Sequence, residues 1–326
     1  VWLHSNTASD NYSSGTGYGF ATLLHEIGHA LGLKHPFEGS HKLSSDLDKT
    51  NYTIMSYTDD DNAYYNKDYI ISSSPMVLDI SAIQYLYGAA ENNTTDTVYS
   101  FNPINPFAKA IWDTNGTDTI KLDNFQKGCT VDLNPGAYST IVCNDWSLAD
   151  NLGIAYNTSI ENVIGGSGND IIVGNDLDNQ ISGGAGYDTL SGGGGSDLFL
   201  FKSSELSNLN FDIIADFQSG VDKIKLVIDE AMHLSPSSQA GQISVVNPSS
   251  GNSLVGSAQS DDSEPESENE SEPAPVLTPQ PDVTSQSISS PLKITAKLEN
   301  SDYKIVIDST NEVIVLLQSG SLFNIE

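Results

Sequence analysis

The sequence has no arginine: its thirteen basic residues are all lysines, set against forty-three acids. Arginine-clamp recognition of phosphate or carboxylate is therefore excluded. A net charge of −30 excludes nucleic acid as a partner, because too little positive charge is available to displace the counterions of a phosphate backbone. The same surplus suits a chain that binds cations or works in salt water. Apolar runs are short. None reaches the roughly 18 residues of a membrane span. No secretory signal peptide is visible, and the chain opens at Val1 within an expected strand, Val1–Leu3. Cysteine is scarce as well. Cys129 and Cys143 are too few for a disulfide framework, and read either as one bridge or as two free core thiols.

What is present falls into four regions. Residues 1–88 mix helical apolar patterns with tyrosine-rich loops. Residues 89–233 read as short strands around a glycine-dense repeat at 165–200. Residues 234–291 are Ser, Pro, Gln, Asp and Glu, with eight acids and no base between Asp261 and Asp282, the composition of a disordered linker. Leu292–Leu298, Tyr303–Ile307 and Val313–Leu317 alternate enough to predict a meander of strands that completes the β region.

Three of the six histidines lie in His25-Glu26-Ile27-Gly28-His29-Ala30-Leu31-Gly32-Leu33-Lys34-His35. Phe20, Leu23, Leu24, Ile27 and Leu31 predict a helix over 19–32. His25 and His29, four apart, share one face of it. Gly32 falls where the helix should stop and the chain reverse, so His35 can swing back as a third ligand. Three imidazoles with an open fourth position suit a catalytic zinc. Glu26, beside the first ligand, is placed to take a proton from an activated water. His4, His41 and His233 match no motif and read as solvated or turn residues.

This stretch, with Pro36 after it, resembles the long zinc signature of the metzincin proteases. Thr53-Ile54-Met55-Ser56-Tyr57 is similar to their methionine turn, and the Pro and the Ile-Met-Ser-Tyr form resemble the serralysins in particular. The resemblance implies that Met55 lies beneath the metal, and that Tyr57 ligates it at rest and then supports the oxyanion. From the residues alone, without the upstream signature, both read as core. Leu78–Gly88 is similar to the helix that closes a serralysin catalytic domain; its expected role is packing, without chemistry. The family also places a helix and several strands upstream of the zinc helix that this sequence does not carry, and the closing Leu322-Phe323-Asn324-Ile325-Glu326 departs from the family's ending of an aspartate followed by apolar residues.

Residues 165–200 align to themselves every nine positions as GGSGNDIIV, GNDLDNQIS, GGAGYDTLS and GGGGSDLFL. This is the repeat of a calcium-binding parallel β-roll. Its glycines permit tight turns, its sixth-position carboxylates suit Ca²⁺, and Ile172, Ile181, Leu190 and Phe199 should point inward. With two repeats per turn, Asp170 stacks on Asp188 and Asn179 on Asp197. Asn179 replaces a carboxylate by an amide, so that site is expected to be the weaker. Trp112–Asp118 and Ser159–Asn162 look like serralysin calcium loops, in which Asp113, Asp118 and Glu161 would be ligands; turn-forming roles explain them nearly as well.

The fold class expected is α+β: part of a zincin-like catalytic domain followed by an all-β parallel roll or sandwich. The function implied is a secreted bacterial zinc endopeptidase stabilised by calcium. Proteins would be its substrates, a type I secretion apparatus a partner. The alternative is an inert calcium-binding module for adhesion or export that keeps a remnant zinc site. A zinc hydrolase of small molecules has no motif of its own.

Overall fold

The structure is a computed structural model that describes residues 17–59, 64–65, 68–144, 149–202, 204–205, 211–218, 220–227, 242–245, 292–299, 302–307 and 312–317. Val1–Leu3, His4, His233, the acidic run 261–282 and the final residues 318–326 lie outside them.

Two helices carry the first region. Helix α1 spans Gly17–Ala30 and α2 spans Val77–Tyr87. Helix α1 starts and stops two residues earlier than its apolar spacing predicts. Its end is a Schellman motif: Leu33 N–H reaches Gly28 O (3.0 Å), Gly32 N–H reaches His29 O (3.0 Å), and Gly32 sits at φ +96°. Only part of the expected apolar stripe is covered. Leu24 packs on a small cluster of Ile54, Met55 and Met76, whereas Ile27 and Leu31 are 43% and 38% exposed. Helix α2 stops at Gly88, as its glycine predicts; there the chain turns at φ +82° and Gly88 N–H caps Gln84 O at 2.8 Å.

From Asn162 to Val245 successive strands alternate between two sheets. One sheet runs in the order Lys223–Val227, Leu198–Lys202, Gln180–Ser182, Asn162–Ile164, Thr119–Lys121 and Val98–Ser100. The facing sheet contains Phe211–Ile214, Thr189–Ser191, Ile171–Val173 and Thr130–Asp132. Neighbours are parallel. Thr189 lies opposite Ile171 and Leu198 opposite Gln180, so two nine-residue repeats make one turn of a coil. Ile172, Ile181, Leu190 and Phe199 fill its interior, each fully buried. They join one continuous core with Ile120, Leu122, Val131, Val163 and Ile214.

The second sheet extends past the roll. Gln242–Val245 pairs in parallel with Phe211–Ile214, although its position lies within the expected linker. Leu292–Glu299, Asp302–Ile307 and Glu312–Leu317 then add as an antiparallel meander. A three-stranded sheet of Lys109–Ile111, Leu152–Ile154 and Tyr138–Ser139 stands beside the roll. This sheet meets α2: a Cβ on Gly153 would lie 2.4 Å from Val77 Cγ2. Cys129 and Cys143 are buried and unbridged. Among the described residues no helix is long and apolar enough to cross a membrane.

Candidate metal centre

The Schellman turn sets the third histidine. By reversing the chain at Gly32 it brings His35 Nε2 to 3.3 Å from His25 Nε2 and 3.1 Å from His29 Nε2. Each ring is oriented from its other nitrogen. His25 Nδ1 lies 2.7 Å from Ile54 O, His29 Nδ1 lies 2.9 Å from Leu33 O, and His35 Nδ1 lies 2.8 Å from Glu38 Oε1. Those three acceptors place the proton on Nδ1, so three Nε2 lone pairs face one point. Such a convergence repels itself unless a cation fills it. Among the described residues this is the one group of three or more ligating side chains whose donor atoms all lie within 4.8 Å of one another. The donor set fits zinc.

Tyr57 and Glu26 complete the surroundings. Tyr57 Oη is 2.7 Å from His35 Nε2, and its ring stacks on His25 with centroids 5.4 Å apart. The side chain is 66% exposed, which excludes the core reading. Glu26 is half-buried on α1 next to His25 and has no hydrogen-bond or ion-pair partner among the described residues. Met55 is buried directly beneath α1: a Cβ on Gly28 would meet its Sδ at 2.5 Å. Gly28 is thus required by close approach, which no motif rule announced.

Two more residues escaped sequence reasoning. Glu38 orients His35, and the bond holds its carboxyl below the usual carboxylate range. Asp79 is the larger surprise, because the sequence predicts only packing for α2. It is buried, yet Thr53 Oγ1 donates to its Oδ1 (2.5 Å), and Ile54 N–H and Met76 N–H donate to its Oδ2 (2.8 Å each). Desolvation pushes its carboxyl up despite these donors. A signal existed: Asp at the third position of a helix reaches back to the N-cap amide.

The carboxylates of the roll form ladders along the coil axis. Asp170 N–H donates to Asp188 Oδ1 (2.8 Å), and Asp188 N–H donates to Asp212 Oδ1 (2.9 Å). On the other edge Asp118 N–H donates to Glu161 Oε2 (2.7 Å), Asn179 N–H to Asp197 Oδ1 (2.9 Å), and Asp197 N–H to Asp222 Oδ1 (3.1 Å). Asp212 and Asp222 follow the repeats and break their spacing, so the nine-residue pattern did not reveal them. Asp113 is fully buried and takes the Tyr99 hydroxyl at 2.5 Å. Burial, with the charges of Asp113 and Glu161 adding to it, raises Asp118 to about 6.

Calcium suits these edges on two observations. Asp188 Oδ2 and Asp197 Oδ2 are buried without a hydrogen-bond partner among the described residues. Burial and neighbouring carboxylates push Asp188 up to about 7 and Asp197 and Asp212 to about 6. The glycines let carbonyls pack beside them; a Cβ on Gly184 would lie 2.0 Å from Gly166 O. Since the acids are strung along the axis, those carbonyls would complete the oxygen set of a hard cation held there. Asn179 differs in needing no cation. Its Nδ2 donates to Glu161 O (3.0 Å) and Asn175 Oδ1 (3.1 Å), and its Oδ1 accepts Asn175 N–H (2.8 Å).

Comparison with known proteins agrees with this geometry. Residues 78–256, more than half of the chain, match the family described as "Peptidase M10 serralysin C terminal". A serralysin of Photorhabdus luminescens is 39% identical over 68% of this chain and 51% of its own length. One from Proteus mirabilis is 39% identical over 50% and 37%, and serralysin B of Dickeya chrysanthemi 38% identical over 53% and 40%. The chain spans about half or less of the length of these relatives. With a histidine trio oriented on three oxygens and a parallel roll lined by carboxylate ladders, this chain belongs to the serralysin family of the M10 metallopeptidases.

Proposed function

We propose that the protein is a secreted zinc endopeptidase, with His25, His29 and His35 as zinc ligands in a zincin-like catalytic domain of which this chain carries part. The convergence of three Nε2 atoms, each ring fixed from Nδ1, carries the reading. Zinc bound there supplies Lewis-acid polarisation of a peptide carbonyl and lowers the pKa of water. Glu26, adjacent and without a partner among the described residues, accepts the proton of the attacking water and passes it to the leaving amine. Tyr57, with its hydroxyl already at the three-imidazole focus, donates to the developing oxyanion. Met55 supports the ligand helix from below. Asp113, Asp118, Glu161, Asp170, Asp188 and Asp197 line calcium sites that hold the roll together, and Asn179, whose amide is already satisfied, makes the site it shares with Asp197 the weaker one. Export through a type I secretion apparatus and protein substrates come with the family resemblance.

The experiment is cleavage of an unfolded protein by the full chain refolded in Zn²⁺ and Ca²⁺, beside Glu26→Gln. Cleavage that needs Glu26 and stops with a zinc chelator is expected. Equal silence of both proteins overturns activity of this chain. It favours the second reading, an inert calcium-binding module, which has its own support: the matched family region begins at residue 78, after the histidines.

A further inference from the structure

Of the three histidines, two are oriented locally. His29 leans on Leu33 O within the helix's own terminal turn, and His35 on Glu38 three residues away. His25 alone takes its acceptor from a distant segment, the carbonyl of Ile54, twenty-nine residues on. Its tautomer and direction are therefore only as fixed as the turn at 53–55. That turn has few apolar contacts to hold it, since its cluster contains just Ile54, Met55 and Met76 as buried residues. Ser56 is pinned separately, to Asp48 at 2.6 Å.

Backbone bonds shape the turn, Thr53 N–H to Lys49 O (3.1 Å) and Ser56 N–H to Thr53 O (3.2 Å), and Leu78 N–H reaches Tyr52 O at 3.3 Å; Asp79 is the side chain that ties the turn to α2. Its two oxygens take three donors: the Thr53 hydroxyl and Ile54 N–H from the turn, and Met76 N–H from the start of α2. Thr53 Oγ1, fixed by this bond, in turn accepts Met55 N–H at 3.1 Å. The same residue, Ile54, thus gives its N–H to Asp79 and its carbonyl to His25. A carboxylate only 2% exposed is costly, and a buried polar group of this kind is tolerated where all its partners are made and a unique geometry depends on them.

We infer that Asp79 is a positioning residue for the metal centre: it clamps the 53–55 turn to α2, so that the Ile54 carbonyl holds His25 with Nδ1 protonated and Nε2 aimed at the shared focus. The role is selective, acting on His25 and not on His29. It rests on the zinc reading above for its metal and on hydrogen-bond geometry for its mechanism.

The test uses the full chain in calcium, with Asp79→Ala and Asp79→Asn. Zn²⁺ affinity is measured by competition with a chromogenic chelator, and histidine tautomers by ¹⁵N shifts in zinc-free protein. Asp79→Ala is expected to weaken Zn²⁺ binding by about 10- to 100-fold, the usual cost of losing an outer-shell partner. His25 should pass to a tautomer mixture while His29 keeps its single form. Asp79→Asn should recover affinity to within a few-fold, because the amide oxygen still takes the two N–H groups and its NH₂ meets Thr53 Oγ1. Unchanged affinity in Asp79→Ala, or equal loss of tautomer at His25 and His29, overturns the inference. Should Asp79→Ala not fold, the parent decides: an Ile54 amide exchanging freely in zinc-free protein also overturns it. Weakened Zn²⁺ binding without proteolysis by the parent would retain the clamp and fail the protease. A parent that binds no Zn²⁺ would fail the zinc reading and leave the tautomers to decide.

Discussion

The histidine half and the roll are held together in opposite ways. The roll has a continuous apolar interior of fully buried Ile, Leu, Val and Phe, with its acids on the edges. The half around α1 buries Ile54, Met55 and Met76 and little else in its own cluster, and its order comes from polar pins: Asp79 on the turn, Ile54 O on His25, Asp48 on Ser56. The two meet through α2 and the 49–55 segment. Tyr52 donates to Asp150, Asn51 Nδ2 reaches Ala149 O at 3.4 Å, and the rings of Tyr52 and Tyr138 cross edge-on at 4.8 Å. A large core tolerates charge at its rim provided a cation answers it. A small one is built from directional bonds that each do one job.

Calcium removal should break the comparison most completely. A calcium-selective chelator near pH 7 should abolish the far-UV strand signal of the roll; an unchanged spectrum would end the idea that its folding is coupled to the ion. Acid sharpens this test. Asp188 lies at about 7 and Asp197 and Asp212 at about 6 in the folded chain, all above the unfolded value of about 3.9. Folded carboxyls with raised pKa bind protons more readily than unfolded ones. Their penalty is full above about 7, shrinks as pH falls through the folded values, and is gone below about 4. The chelated roll should therefore regain structure as pH drops from 7 towards 4, and flat or falling strand content over that window would contradict it.

Phe199→Ala comes next. It empties a fully buried site in the roll core and should cost about 3–5 kcal/mol in the calcium-saturated protein, read from denaturant midpoints. The zinc affinity should change little, since Phe199 lies in the larger core. Gly28→Ala should do the reverse. The added methyl meets Met55 Sδ, an overpacking cost of about 1–3 kcal/mol set against roughly 1 kcal/mol of better helix propensity. Weaker Zn²⁺ binding with an unshifted calcium midpoint is the expected result, and a shift in the calcium midpoint alone would reverse the assignment. Asn179→Asp should leave the calcium-saturated roll the least changed of these variants. It removes two donated bonds and sets a charge against Asn175 Oδ1, so the calcium-free roll should lose about 1–3 kcal/mol and calcium dependence should steepen. Calcium titration by circular dichroism checks it.

Legibility followed distance along the chain. His25, His29 and His35 were readable because helix period and a glycine stop are local rules, and the structure puts their Nε2 atoms where that spacing implies. The roll was readable because its period repeats: Asp170 stacks on Asp188 and Ile172 on Leu190 through a constant offset. Gln242–Val245 was hidden by polar surroundings and is a strand because an open sheet edge at Phe211–Ile214 accepts it. Asp212 and Asp222 were hidden because they join the ladders from outside the nine-residue register.

The sequence by itself determined the histidine trio, the coil period and the inward face of the roll, since each depends on residues a turn or a repeat apart. Only the tertiary structure decided what orients those residues. Met55 under Gly28, Ile54 facing His25, and Asp79 behind Ile54 are contacts between segments twenty-five or more residues apart. No periodicity encodes such contacts; they exist because packing α2 against the turn leaves a buried carboxylate nowhere to go but onto three waiting donors.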